Sequence, residues 1–459
     1  MQPADRAYQA AQARQAAAGL AARGVAGVAV TWVDNSGVVR VKGVPVARLE
    51  RAAQWGVGMS PVFDTFLSDD SLVTGRFAGG PVGDLRLHPD LRRLTVLAAQ
   101  PGWAWAPADR YDQDGAEHPQ DARSLARREV DRMAGAGYTV RAGFEVEWCV
   151  SIGTAADEFT PACQGPAYGM ARLTELSDYL REVLDALAAQ QVAVDQLHPE
   201  YAAGQYEVSV APEDPVGAAD TAVLVRETIR AVSARRGLRA TFAPKVLADG
   251  VGNGGHVHLS LWRDGTNLMS GGTGRYGITP EGEAFTAGIL GRLPALLAFG
   301  APSVASYLRL VPSHWAGAFA CWGRENREAA LRFVTGTAGN QGTESNVEVK
   351  CFDAAANPYL ALAALLCAGR AGLAERAALP EPVEVDPTVL EPAERDARGI
   401  AALPSTLDGA VAALEAEAVL VRDLGEELVD TVAAVRRGEI ARFTGASPEE
   451  VAAATRWKY

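Results

Sequence analysis

Residues 141–150 read RAGFEVEWCV, and residues 250–262 read GVGNGGHVHLSLW. Side chains alternate across the two faces of a strand. In the first stretch Phe144, Val146, Trp148 and Val150 share one face, and Glu145 and Glu147 share the other. The two carboxylates then stand roughly 7 Å apart by strand rise, a spacing that invites a cation between them. Taken alone, the stretch more readily describes a solvent-facing strand with two exposed acids. The second stretch places His256, His258 and Ser260 on one face, after glycines that let a ligand approach the backbone closely.

Working outward, three further segments have the same character. His198-Pro199-Glu200 precedes Gly204–Val208, where Glu207 alternates against Tyr206 and Val208. Residues 309–332 carry Arg309, Arg327 and Arg332, whose guanidinium groups suit carboxylate or phosphate. Residues 347–360 put Glu348 and Lys350 on one strand face. Each has an ordinary structural explanation: a turn and strand, solvated arginines, an ion pair across a strand.

The whole chain frames these segments. It has 459 residues, 56 acids against 43 bases, a net charge of −13 and 48% hydrophobic content. This composition supports a sizeable core and argues against disorder, a general nucleic-acid binder or a membrane-surface protein. No run reaches the ~18 apolar residues of a membrane-spanning helix. The start of the chain lacks a signal-peptide core, and the five cysteines are scattered. Together these features point to the cytoplasm.

The pattern predicts a helix over 4–22 and two strands around the turn Asn35-Ser36-Gly37. Helices follow over 121–135, 173–190, 220–236, 280–299 and 357–378, with one long terminal helix over 407–437. The polar stretch 109–120 is the expected boundary between a first domain, 1–110, and a second, 111–459.

The five segments, in this order, resemble the glutamine synthetase family, type I. The resemblance rests on EVEW, HPEYAAGQYE, GNGGHVHLSLW, RLVP followed by ENREAALR, and EVKCFDAAANPYLA. It covers residues 100–459 clearly. The N-terminal hundred residues match less, chiefly through the hairpin and DLRLHPD (Asp84–Asp90). The resemblance implies an α+β fold: an N-terminal β-grasp domain and a catalytic domain built on a curved antiparallel sheet. It implies a dodecamer of two hexameric rings with active sites between subunits. It also implies two or three Mg²⁺ or Mn²⁺ ions per subunit, with Glu147, Glu200 and Glu207 at the first site and Glu145, His256 and Glu348 at the second.

The family's reaction moves the γ-phosphoryl group of ATP to the side-chain carboxylate of glutamate, after which an amine displaces phosphate. By resemblance Arg309, Gly252 and Lys350 meet glutamate, and Arg327 meets the phosphoryl group. His258, Ser260 and Arg332 meet ATP.

The departures bear on the amine. Trp315 stands where glutamine synthetases carry a glutamate that binds ammonium. Gly58 stands at the position of an aspartate with the same task, with Ser60 beside it. With Trp315, Gly58 and Ser60 as the amine pocket, the resemblance implies a ligase joining glutamate to a small primary amine, ethanolamine foremost. Polyamines would want acids, for which Asp64, Asp69 and Asp70 are the nearest candidates. The alternatives are glutamine synthesis from ammonium, γ-glutamylpolyamine synthesis, a non-catalytic relative and a metal-dependent hydrolase. Lys350 in place of an arginine, Val251 in place of an asparagine, and Thr343 and Asn346 in place of basic residues touch the acid and nucleotide sites. Leu390 stands near the tyrosine that some type I enzymes adenylylate.

Overall fold

A computed structural model describes residues 3–153 and 158–459. The chain builds two sheets. The first holds β1 (Gly27–Val33), β2 (Val39–Pro45), β3 (Val57–Met59), β4 (Leu85–Pro89), β5 (Thr95–Val96) and β6 (Trp103–Tyr111). Its order is β2-β1-β6-β4-β3, with β5 beside β6 and with β1 and β6 parallel. Val28, Val30 and Trp32 alternate into a core closed by helix Pro3–Ala22 through Ala13 and Leu20, and by Leu49 of helix Leu49–Trp55. On the other face of β1, Thr31 accepts a 2.8 Å hydrogen bond from the Trp105 indole.

The second sheet holds β7 (Thr139–Ile152), β8 (Val194–Pro199), β9 (Gln205–Val210), β10 (Leu238–Thr241), β11 (Gly255–Arg263), β12 (Thr266–Asn267), β13 (Phe319–Arg324), β14 (Ala329–Val334), β15 (Asn346–Val349) and β16 (Ala401–Ala402). Its order is β16-β13-β14-β15-β11-β7-β9-β8, antiparallel except for β13 and β14. Val146, Trp148 and Val150 are buried, and β7 packs on helices Ala122–Gly135 and Pro215–Arg235. The opposite face of β7 is left for its glutamates. Behind this layer, helices Pro280–Gly300 and Pro358–Glu375 press together at Gly288 and Gly372. A Cβ on Gly288 would stand 2.3 Å from the Ala368 carbonyl oxygen, so glycine permits the contact.

The turn predicted at 35–37 forms, and its tip is buried in the second layer. Asn357 Nδ2 donates to the carbonyls of Val33 and Asp34, and Arg436 Nη1 donates to that of Asn35. Arg123 ties the two sheets by donating to Asp90, Asp109 and Asp220. The long terminal helix expected over 407–437 is three helices, Leu407–Ala416, Ala418–Leu424 and Glu426–Arg442. The breaks fall at Glu417, outside helical geometry, and at Gly425, with φ +104°. Among the described residues no helix is long and apolar enough to cross a membrane, and all five cysteines are free and buried.

Candidate functional site

The site is a set of cross-strand neighbours on the face of the second sheet away from the core. Register pairs Glu147 with Glu207 and Glu207 with His198, across β7, β9 and β8. It pairs Glu145 with His256 across β7 and β11. It pairs His258 with Glu348 and Glu348 with Arg332, across β11, β15 and β14. Period-two alternation, repeated on neighbouring strands, therefore gathers residues from five segments of sequence.

Three groups of ligand atoms lie within 4.8 Å of one another: Glu145, His256 and Glu348; Glu147, Glu207 and His256; and His198, Glu200 and Glu207. His256 Nδ1 lies 3.1 Å from Glu145 and 3.3 Å from Glu348. His198 Nε2 lies 3.2 Å from Glu207.

Burial, and then the like charges of Glu207 and Glu200, push the Glu147 carboxyl up to about 8. Burial raises Glu207 as well. Burial works against ionisation of Glu145 too, but hydrogen bonds with His256 and His258 hold it well below the usual carboxylate range. Glu348 is held down to about 2: Lys350 and the histidines outweigh its burial. Burial and the charge of Lys350 lower His256 to about 4, keeping the imidazole neutral. The hydrogen bond with Glu207 pushes His198 up to about 9.

Crowded carboxylates, two of them raised, with a neutral imidazole between them suit a hard divalent cation. The backbone leaves room beside them: a Cβ on Gly254 would stand 2.5 Å from His256 Nε2 and 2.8 Å from Glu147 Oε1. The residues present therefore fit Mg²⁺ or Mn²⁺.

Around this cluster lie the other sequence-predicted residues. Arg309 is 6% exposed. Its Nη2 donates to the Lys350 carbonyl at 2.9 Å, and its Nη1 is buried without a partner among the described residues. A buried guanidinium nitrogen left free is a ready donor for a carboxylate. Gly252 lies against it, since a Cβ there would be 2.6 Å from Arg309 Cγ. Lys350 Nζ donates to Glu348 Oε1 at 3.2 Å. Arg332 bridges Glu348 and Glu325. Arg327 is exposed and makes no ion pair among the described residues.

A cleft of about 880 Å³ opens beside Glu145 and is lined by His258, Ser260, Asn340, Thr343 and Asn346. His258, with a ring nitrogen 2.8 Å from Asn346 Oδ1, stands between this cleft and Glu145.

The amine residues are not gathered in one place. Trp315 lies in the loop before β13, 58% exposed, with φ +54°. Gly58 lies on β3, opposite Arg86, and Ser60 Oγ caps the turn Pro61–Thr65. Gly58 belongs to the first sheet, and Ser60 follows its strand directly. The acids expected to serve a polyamine there are already paired. Asp64 binds Arg110 at 2.5 Å and His118 at 2.8 Å, Asp69 binds Arg442, and Asp70 binds Arg40.

Sequence reasoning missed His198, Gln205 and Glu328. Gln205 Nε2 donates to Glu147 Oε2 at 2.9 Å and so orients it. Gln205 precedes Glu207 by two residues on one strand, and that shared face was the available signal, whereas His198 meets Glu207 only across strands. Glu328 gave none, being one charge in a charged run.

Comparison with known proteins adds a second line. The model described as "Glutamine synthetase, catalytic domain" matches residues 119–453. The chain is 60% identical over 442 residues to "Gamma-glutamylpolyamine synthetase GlnA3" of Streptomyces coelicolor, covering 96% of this chain and 95% of the relative. It is 30% identical to "Glutamine synthetase" of Halobacterium salinarum, covering 93% of each. A solved structure titled "Crystal structure of novel glutamine synthase homolog" superposes with a TM-score of 0.85 at 34% identity, covering 95% of this chain and 99% of that one. Another, "GmaS/ADP complex-Conformation 1", superposes with a TM-score of 0.81 at 29% identity, covering 94% and 96%.

Proposed function

The chain belongs to the glutamine synthetase family and is an ATP-dependent ligase forming C–N bonds, and from that premise we propose that it joins the side-chain carboxylate of glutamate to a primary amine of a polyamine. The observation that carries the amine is the 60% identity, over nearly the whole chain, to a protein named for polyamine glutamylation. Ethanolamine, favoured by the lack of acids at Gly58, Ser60 and Trp315, gives way to it. The catalytic part of the proposal is supported by the convergence of Glu145, Glu147, Glu200, Glu207, His256 and Glu348 on one sheet face.

These six residues would hold two to three Mg²⁺ or Mn²⁺ ions, which supply charge neutralisation for the phosphoryl group and its leaving group. Arg309, through its free Nη1, receives the carboxylate of glutamate, with Gly252 keeping that side open and Lys350 holding Glu348 in place. His258, Ser260 and Arg332 flank the nucleotide cleft beside Glu145. Arg327, exposed and without an ion pair among the described residues, meets the transferring phosphoryl group. Its fixed positive charge stabilises the transition state electrostatically. Once its ammonium group has given a proton to solvent, the amine attacks the γ-glutamyl carbonyl: a C–N bond forms, the C–O bond to phosphate breaks, and phosphate leaves with the electron pair and takes up the proton that the nitrogen loses.

Gly58 and Ser60 reach the amine from the first sheet of a neighbouring subunit in a dodecamer of two rings. The chain divides into a β-grasp unit, 1–110, and a catalytic unit, 111–459, and works in the cytoplasm without nucleic-acid or membrane partners.

The test is phosphate release from ATP, Mg²⁺ and glutamate across spermidine, putrescine, ethanolamine and ammonium, with mass spectrometry of the products. A γ-glutamylpolyamine as the dominant product is expected. Greater efficiency with ammonium or ethanolamine overturns the choice of amine, and silence with every amine overturns the ligase.

A further inference from the structure

The loop that carries Trp315 contains no acid, yet an amine substrate arrives as an ammonium ion and needs an anion to receive it. We propose that Glu328 is that anion: its free carboxylate oxygen, beneath the loop 312–317, binds the ammonium group of the incoming amine. This role presupposes the amine-ligase reading and places the amine's charged end within it.

The geometry is specific. Glu328 is 5% exposed. Its Oε1 accepts the Trp315 backbone N–H at 2.7 Å, which seats the carboxylate against the residue that replaces the family's ammonium-binding glutamate. Its Oε2 is buried and has no hydrogen-bond partner among the described residues. Among the described residues it has no ion pair with an arginine or lysine. A second acid closes on the same place from another segment: Ser313 Oγ donates to Asp386 Oδ2 at 3.0 Å. Burial raises the Glu328 carboxyl and the charge of Asp386 adds to this, against the hydrogen bonds from the Trp315 and Ser313 backbone N–H groups and the charge of His314.

A buried carboxylate oxygen without a donor is costly, and more so beside a second carboxylate. A cation with several N–H donors removes both penalties. Residue order supports the placement, because Arg327, the candidate phosphoryl contact, immediately precedes Glu328. Nucleophile and acyl phosphate would thus be received by consecutive residues. For a polyamine, Asp386 and the exposed Glu384 continue the negative charge outward along the segment 384–386, where further ammonium groups would lie.

The plain alternative is that Glu328 only braces the left-handed backbone at Trp315, and Glu328→Gln separates the two. Glutamine keeps an oxygen for the Trp315 N–H and loses the charge. In steady-state phosphate release, E328Q is expected to raise the KM for spermidine at least about tenfold, the scale of a lost charge-assisted hydrogen bond. The KM values for glutamate and ATP should stay within about twofold, and Glu328→Asp should recover part of the loss. An E328Q enzyme with an unchanged KM for spermidine, or with all three KM values shifted together, overturns the assignment. If the parent enzyme instead prefers ethanolamine or ammonium, the polyamine reading fails. The same comparison made with that amine still decides the role of Glu328. A parent enzyme silent with every amine overturns both.

Discussion

Glu147 shows how one residue serves function at a cost to the metal-free fold. Burial and two neighbouring glutamates push its carboxyl up to about 8. A raised folded-state value means that stability is fully present below the unfolded value and is lost as pH rises towards 8. Glu147→Gln should therefore leave the melting temperature of the metal-free protein unchanged or higher at pH 8, while abolishing phosphate release. Scanning calorimetry and a phosphate assay check the two halves, and retained turnover would remove Glu147 from the metal site. Raised carboxyls hold their protons more tightly than usual, so Mg²⁺ binding works against those protons. Binding titrations in buffers of different ionisation enthalpy should report proton release, and tighter binding as pH rises. Zero release would mean that Glu147 is already ionised or is not a ligand. Glu147 was legible in the sequence because its alternation with Val146 and Trp148 needs no partner strand. His198 was not, because its place opposite Glu207 depends on the β8–β9 register, which no single segment encodes.

At the scale of elements, the hairpin around Gly37 does more than reverse the chain. Its tip is buried under the second sheet's helices. A Cβ on Gly37 would stand 1.8 Å from the Ala355 carbonyl oxygen, at a φ of +80°. Both the backbone conformation and the space forbid a side chain, and backbone atoms cannot swing aside as a flexible side chain can. Gly37→Ala should cost about 2 kcal/mol or more, and its melting temperature should fall by several degrees. A melting curve matching the parent's would show that the two layers are more loosely joined than the hydrogen bonds from Asn357 and Arg436 indicate. The turn itself could be read from Asn35-Ser36-Gly37, but its burial could not, since that depends on residues over 300 positions away. The terminal helices failed the other way. An apolar period runs across Glu417 and Gly425, and a local pattern does not tell a helix from three helices that share one buried side. Gly425 was the visible clue, as a left-handed glycine commonly ends a helix.

For the whole molecule, the sheet face with the metal cluster and the strand with Gly58 belong to different layers, and Trp315 lies well exposed in the second. If the amine pocket is completed by the first sheet of a neighbouring subunit, each site draws on two chains and activity belongs to the assembly. Two variants separate the contributions. Glu147→Ala removes the catalytic face and leaves the first sheet untouched. Gly58→Trp fills the amine side and leaves the metal cluster untouched. Each homo-oligomer should be inactive with spermidine. In assemblies co-expressed in equal amounts, a site works when its catalytic face comes from the Gly58→Trp chain and its first sheet from the Glu147→Ala chain. Random mixing restores about one quarter of the sites. Native mass spectrometry confirms that the assemblies are mixed, and phosphate release reads the recovery. Recovery near a quarter requires a site shared between subunits, because no single chain in the mixture carries both intact halves. Mixed oligomers with no recovery would mean that each chain completes its own pocket.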